Sequence, residues 1–197
     1  MLLYNKIIMD KFILAITGAS GIIYGIRLLE ELIRRFEISL ILSDSALYVM
    51  KLETEIKNFH EFKERFNNPK IKIYSENQID APIASGSYKT HGMFIVPCSM
   101  KTVSAIAHGY ADNLITRAAD VTIKEGRKLI ISPREMPLGI IHLENLLKLA
   151  RIGVIVAPPI PAFYNNPESI DDIVNFVVGK LLDCIEIENN LYRRWNG

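Results

Sequence analysis

The stretch FILAITGASG, Phe12 to Gly21, decides how the rest of the chain is read. Phe12–Thr17 is a continuous apolar run, and it ends in Gly18-Ala19-Ser20-Gly21. Helical spacing begins at once: Ile22, Ile26, Leu29 and Ile33 fall on one face, with Arg27, Glu30, Glu31 and Arg34 mostly outside it. A strand that is apolar on both faces and turns tightly into an amphipathic helix reads as the opening of a covered parallel sheet.

The same alternation continues outward. Ile38–Leu42 is a second apolar run, closed by Ser43-Asp44 and followed by a helix through about Glu53. Residues 55–70 are polar and predict a short surface helix, then a strand near Ile71–Tyr74 and a loop from Ala81 to Ser87. Met93–Val96 is a buried strand entering Pro97-Cys98-Ser99, with helices over Lys101–His108 and Asn113–Lys124. Leu129–Ile131 and Val154–Ala157 complete the strands, with helices at His142–Arg151 and Ile170–Glu186. The expected fold is α/β: a doubly wound, mostly parallel sheet with helices on both faces, Rossmann- or flavodoxin-like in its three layers. Residues 11–197 are expected to form one domain, and residues 1–10 an N-terminal extension or an alternative start with Met9 as the initiator.

Composition excludes several classes. The 197 residues are 49% hydrophobic and 23% charged, which does not suit a disordered chain or a basic nucleic-acid-binding tail. With 23 Lys+Arg against 22 Asp+Glu, any anion site is a local arrangement rather than a property of the whole surface. No apolar run reaches the roughly 20 residues of a membrane span, and Lys6, Asp10 and Lys11 interrupt any signal-peptide pattern. Cys98 and Cys184 stand apart without a Cys/His cluster, so a cytoplasmic protein without structural zinc is expected. A mean hydropathy of +0.17 is high for a small monomer and hints at burial between subunits.

In a doubly wound sheet the ligand sits at the carboxyl ends of the strands, so chemistry is sought in the loops there. Gly18–Gly21 leads into a helix N-terminus, whose free N–H groups attract an anion, with the Ser20 hydroxyl close by. It lacks the Gly-Lys-Ser/Thr of a P-loop and the third glycine of the dinucleotide fingerprint. A tight turn that binds nothing reads equally well from these residues alone. Ser99-Met100-Lys101-Thr102 places hydroxyls and a cation at a second strand-to-helix turn, and Ser43 lies at a third. Two such turns favour a phosphate-bearing ligand over ordinary helix caps. Ser132-Pro133-Arg134-Glu135-Met136-Pro137 brackets an adjacent cation and carboxylate with prolines. Arg134 can grip an oxyanion at two points, and Glu135 can carry a proton. Pro158–Tyr164 is another proline-stiffened loop, presenting a phenol. Arg117 and Lys124 are seven residues apart, two helical turns, and share a face. His60, His91, His108 and His142 show no metal-ligand spacing and read as structural or surface residues.

These motifs, in this order, resemble the flavin prenyltransferases of the UbiX type, from about Lys11 to Trp195: ITGASG, ASGS at Ala84–Ser87, PCSMKT, NLITRAADV with Lys124 following, SPREMP, IHLENLLKL, PAFY and the final RRW. The resemblance implies transfer of a dimethylallyl group from its monophosphate to N5 and C6 of reduced FMN. The product, prenylated FMN, would serve a UbiD-type decarboxylase. It implies a dodecamer with active sites at subunit junctions, no metal, no nucleic acid and no membrane span. By motif, Gly18, Ala19, Ser20, Ser43, Ser99, Met100, Lys101, Thr102 and Arg134 would hold FMN. Tyr164 and Lys180 would hold the isoprenyl phosphate, with Arg117 and Lys124 from an adjacent subunit. Ser20 and Glu53 would sit near flavin N5, and Glu135 would arrange the phosphate and assist proton transfer. The catalytic set is therefore Ser20, Glu53 and Glu135. Two departures are visible: Ile79 stands where the family often has Trp, and Lys180 where it commonly has Arg. The rival readings are a flavin-dependent cysteine-type decarboxylase on the same fold and a non-catalytic flavin carrier or scaffold. The first would use a catalytic His and a PxMN-type loop, where this chain has SPREMP; the second would leave SPREMP and PAFY without a purpose.

Overall fold

The computed structural model describes residues 11–195; the suggested extension through Asp10, with Met9, lies outside them. Among the described residues six strands form one parallel sheet: β1 (Lys11–Ile16), β2 (Glu37–Leu42), β3 (Ile71–Ser75), β4 (Gly92–Cys98), β5 (Lys128–Pro133) and β6 (Ile155–Val156). Their order is β3-β2-β1-β4-β5-β6, so the chain winds outward from β1 in one direction and then returns to its other side. The reversal falls between β1 and β4, which pair from Phe12 opposite Gly92 to Ala15 opposite Ile95.

Alternate residues of β1 feed two cores. Leu14 and Ile16 join Ile22, Leu29 and Val178 on one face, while Ile13 and Ala15 join Val103, Leu114, Ala118 and Leu149 on the other. The first face is covered by α1 (Ile22–Leu32), α2 (Asp44–Glu53), α3 (Phe59–Arg65) and α7 (Ile170–Asp183). The second is covered by α4 (Met100–Ala107), α5 (Leu114–Lys124) and α6 (Ile140–Arg151). Helices on both faces explain why the strands are apolar runs rather than alternating ones.

The polar segment forms the expected short helix, α3, started by Asn58, whose side chain accepts from Glu61 N. The differences from the sequence reading have local causes. α6 begins two residues earlier than expected, where Gly139 N donates to His142 Nδ1 at 3.2 Å. α7 stops at Asp183 rather than Glu186, and the chain reaches φ +63° at Glu186 as it turns back. β6 is a two-residue edge strand paired with β5 alone.

Candidate functional site

A cavity of about 210 Å³ opens at the carboxyl ends of β1, β2 and β4, beside the topological reversal. Gly18, Ser43, Ser99, Lys101 and Thr102, all named from the sequence, line it, together with Thr17, Ser45, Glu76, Asn113 and Ile115. A larger groove of about 640 Å³ lies at the opposite ends of the strands, against Phe12, His91 and Lys128. That end of a parallel sheet is not where α/β domains place ligands.

The turns around the cavity are held by their own hydrogen bonds. Thr17 Oγ1 donates to Pro97 O at 2.8 Å and accepts from Ser99 N at 2.8 Å, tying the ends of β1 and β4 together. Gly18 has no room for a side chain: a Cβ there would collide with Ser45 Cβ. Ser43 caps α2 by accepting from Ala46 N at 3.0 Å, and Ser99 caps α4, its Oγ lying 3.1 Å from Thr102 Oγ1.

The three helix starts are not equivalent. At α1, Glu53 Oε2 accepts from Gly21 N at 2.9 Å and Ile22 N at 3.0 Å. At α2, Glu76 Oε1 accepts from Asp44 N at 2.8 Å. At α4, among the described residues, only the helix's own Ser99 accepts from the first turn, and Lys101 has no ion pair. At the start of α1 the chain's own carboxylate thus occupies the N–H groups of Gly21 and Ile22. The start of α4, with two hydroxyls and an uncommitted ammonium, is the end suited to an external phosphate.

Glu53 thus lies at the same turn as Ser20, which is exposed, while Ala19 is buried behind it. Met100 opens α4. Arg134 follows β5, and its backbone N donates to Cys98 O at 3.2 Å, placing it beside the end of β4. Its exposed guanidinium has no partner among the described residues. Glu135 is exposed, with Oε1 accepting from Met136 N at 3.0 Å. The Cys98 thiol, fully buried in the PCSMKT segment, is pushed up by desolvation and is no nucleophile.

Tyr164 packs on α7, the helix that carries Lys180. The Tyr164 ring stands edge-on to Phe176 at 6.0 Å between centroids, and Lys180 is one helical turn from Phe176. Trp195 packs edge-on to Tyr164 at 5.4 Å. Arg117 and Lys124, in contrast, do not line the cavity. Arg117 donates to Ala84 O at 3.1 Å and pairs with Asp120 at 3.2 Å, and Lys124 projects from the exposed end of α5.

Sequence reasoning missed Glu76 and Asn113. Glu76 Oε2 accepts from Asn113 Nδ2 at 3.0 Å, and Glu76 O accepts from Leu114 N at 2.7 Å, so one residue ties β3 to the starts of α2 and α5. Asn113 carries a visible signal, a helix cap with Thr116 three residues on, whereas a lone Glu after a strand carries none.

Among the described residues no group of three or more His, Cys, Asp or Glu side chains could hold a metal ion, and no helix is long and apolar enough to cross a membrane.

Comparison with known proteins gives one consistent family. The flavoprotein family model matches residues 5–182. The flavin prenyltransferase UbiX of Methanocaldococcus jannaschii is 53% identical over 185 residues, covering 94% of this chain and 98% of that one. A dodecameric FMN-dependent UbiX-like decarboxylase from Escherichia coli O157:H7 superposes with a TM-score of 0.89 at 45% identity, covering 95% of this chain and all of that one. AnUbiX (PadA1), solved in complex with FMN and dimethylallyl pyrophosphate, superposes with a TM-score of 0.89 at 39% identity, covering 95% of this chain and 98% of that one.

Proposed function

This chain belongs to the flavoprotein family, and on that footing we propose that it is a flavin prenyltransferase, moving a dimethylallyl group from dimethylallyl monophosphate to N5 and C6 of reduced FMN. The observation that carries the reading is the cavity at the start of α4. There Ser43, Ser99, Thr102 and Lys101 converge on one space, a donor set that fits the phosphate ester of FMN. Reduced FMN supplies the nucleophilic flavin atoms; the protein supplies placement and charge.

Gly18, Ala19 and Ser20 border the flavin, with Met100 beside the phosphate and Arg134 reaching it from the end of β5. Ser20 and Glu53 stand near flavin N5, where Glu53 holds the turn that presents Ser20. At the donor, Tyr164 and Lys180 neutralise the phosphate as the allylic C–O bond breaks, which is electrostatic stabilisation of a leaving group. Glu135 arranges that phosphate and takes up or returns a proton. Arg117 and Lys124 complete the donor site from an adjacent subunit; neither lines the cavity at the start of α4 in its own chain. The assembly is a homo-oligomer, a dodecamer as in the Escherichia coli relative, with sites at subunit junctions. Residues 11–197 act as one flavin-binding domain. The product, prenylated FMN, passes to a UbiD-type decarboxylase. Two free cysteines suit work in the cytoplasm.

The test is anaerobic incubation with reduced FMN and dimethylallyl monophosphate, then mass spectrometry of the extracted flavin. A flavin heavier by one prenyl unit supports the proposal. Unmodified flavin, under conditions in which a known prenyltransferase works, overturns it.

A further inference from the structure

Asp183, the last residue of α7, anchors the segment that follows it. Arg194 grips the carboxylate at two points, Nη2 to Oδ1 at 2.8 Å and Nη1 to Oδ2 at 3.0 Å. The Tyr192 hydroxyl donates to Oδ2 at 2.5 Å, and Asn189 Nδ2 donates to Oδ1 at 2.9 Å. Lys180, one turn back on the helix, has its Nζ 4.0 Å from Oδ2. The Asp183 side chain is only 20% exposed, so this is a partly desolvated charge and not a loose surface pair.

An aromatic row continues from these contacts. The Tyr192 ring meets Phe176 at 5.0 Å, Phe176 meets Tyr164 at 6.0 Å, and Tyr164 meets Trp195 at 5.4 Å, all edge-on. The helix is shaped to accept this row. A Cβ at Gly179 would lie 2.5 Å from Tyr192 Cδ1, so glycine is needed for the ring to rest on α7. The row passes through Tyr164 to Trp195, and the carboxylate stands beside Lys180. Tyr164 and Lys180 are both proposed ligands of the isoprenyl phosphate.

We propose that Asp183 is a positioning residue for the isoprenyl donor. By holding Arg194 and Tyr192 it seats Trp195 against Tyr164, and its carboxylate, 4.0 Å from Nζ, restrains where the Lys180 ammonium sits. Asp183 does not touch the donor; it fixes the residues that do. The proposal rests on the reading of Tyr164 and Lys180 as phosphate ligands.

The chain has one tryptophan, Trp195, so indole fluorescence reports this seat alone. In the full-length protein, Asp183→Asn should lower the fluorescence anisotropy of Trp195 and raise its quenching by acrylamide in the substrate-free enzyme. KM for dimethylallyl monophosphate should rise on the order of tenfold, with FMN affinity unchanged. Arg194→Gln changes only the tail, leaves α7 intact, and should reproduce both effects; Arg194→Lys, which keeps the charge but loses the fork, should fall between. Unchanged anisotropy and unchanged KM in both Asp183→Asn and Arg194→Gln overturn the proposal, as does a loss of FMN binding that parallels the loss of turnover. A wild-type protein that makes no prenylated flavin removes the functional reading and the donor half of this proposal with it. Unchanged fluorescence in active variants removes the proposal alone.

Discussion

The carboxylate of Glu53 lies 2.9 Å from the backbone nitrogen of Gly21 and accepts from Ile22 with the same oxygen, so α1 begins on an anion supplied by the chain itself. The contact spans 32 residues and fixes the turn that carries Ser20. Glu53→Gln keeps an acceptor but removes the charge at the helix start. The expected stability loss is about 0.3–1 kcal/mol, read as a small drop in Tm. If Glu53 also acts near flavin N5, single-turnover prenyl transfer should slow well beyond that. A lowered Tm with full turnover would confine Glu53 to capping.

Gly18→Ala tests the close approach beneath the cavity. The new Cβ would run into Ser45 Cβ and stand 3.1 Å from the Ser45 carbonyl carbon, so backbone must move. Overpacking of this kind costs about 1–3 kcal/mol. Because Ser43 and Ser45 line the cavity, FMN should bind more weakly as well. Ser45→Gly removes the nearest clashing atom, so the double variant should regain much of both losses. Flavin titration and thermal denaturation measure this, and a fully stable Gly18→Ala protein with normal flavin affinity would contradict it.

Much of this arrangement is legible in the amino-acid sequence. The parallel sheet can be read there because strands buried on both faces are continuous apolar runs, as Phe12–Ile16 and Met93–Val96 show. The strand-end loops follow from the fold, and Gly18, Ser43, Ser99, Lys101 and Thr102 do share one cavity. Glu76 is not legible, because its partners Asp44 and Asn113 lie 32 and 37 residues away. The early stop of α7 is hidden for the same reason. Its periodicity runs on past Asp183, while the carboxylate is claimed by Arg194, 11 residues later.

Glu135→Gln and Tyr164→Phe address the donor chemistry. Neither side chain lines the cavity at the start of α4, so flavin affinity should hold. Each variant should slow prenyl transfer on the order of ten- to a thousandfold, the range expected for losing a proton carrier or a leaving-group donor. Rapid-quench measurement with the flavin pre-bound separates transfer from binding. Wild-type rates would remove these two assignments.

The C-terminal seat has a defined pH window. Burial raises the Asp183 carboxyl, but donation from Arg194, Tyr192 and Asn189 outweighs it and holds the group below its ordinary value. A depressed carboxyl contributes stability above its unfolded pKa of about 3.9 and loses it as pH falls through the lower folded value. Tyr192 runs the other way: burial and then the bond to Asp183 push its phenol up to about 12. Its contribution is intact below the unfolded value of about 10 and is lost as pH rises through the folded one. Trp195 anisotropy should therefore stay level between about pH 5 and 9 and fall on both sides. A transition inside that window would assign the seat to another group.

The excess hydropathy of the sequence has a place in the fold. On α6, Ile140, Leu143 and Leu147 form one exposed stripe at 73%, 51% and 51% exposure, opposite buried Asn145 and Leu149. Met136 and Leu138 extend it at 89% and 41% exposure, directly after the Arg134-Glu135 pair. An apolar surface of this kind, contiguous with a loop of exposed charged side chains, marks contact with another molecule. If that molecule is a second copy that lends Arg117 and Lys124, as proposed above, prenyl transfer depends on assembly. Replacing Leu143 and Leu147 together with Asp should give a smaller species by light scattering. Its transfer activity should fall with its size while flavin binding at α4 persists. A double variant that stays fully assembled would free α6 from the interface. One that is monomeric and fully active would break the link between assembly and catalysis.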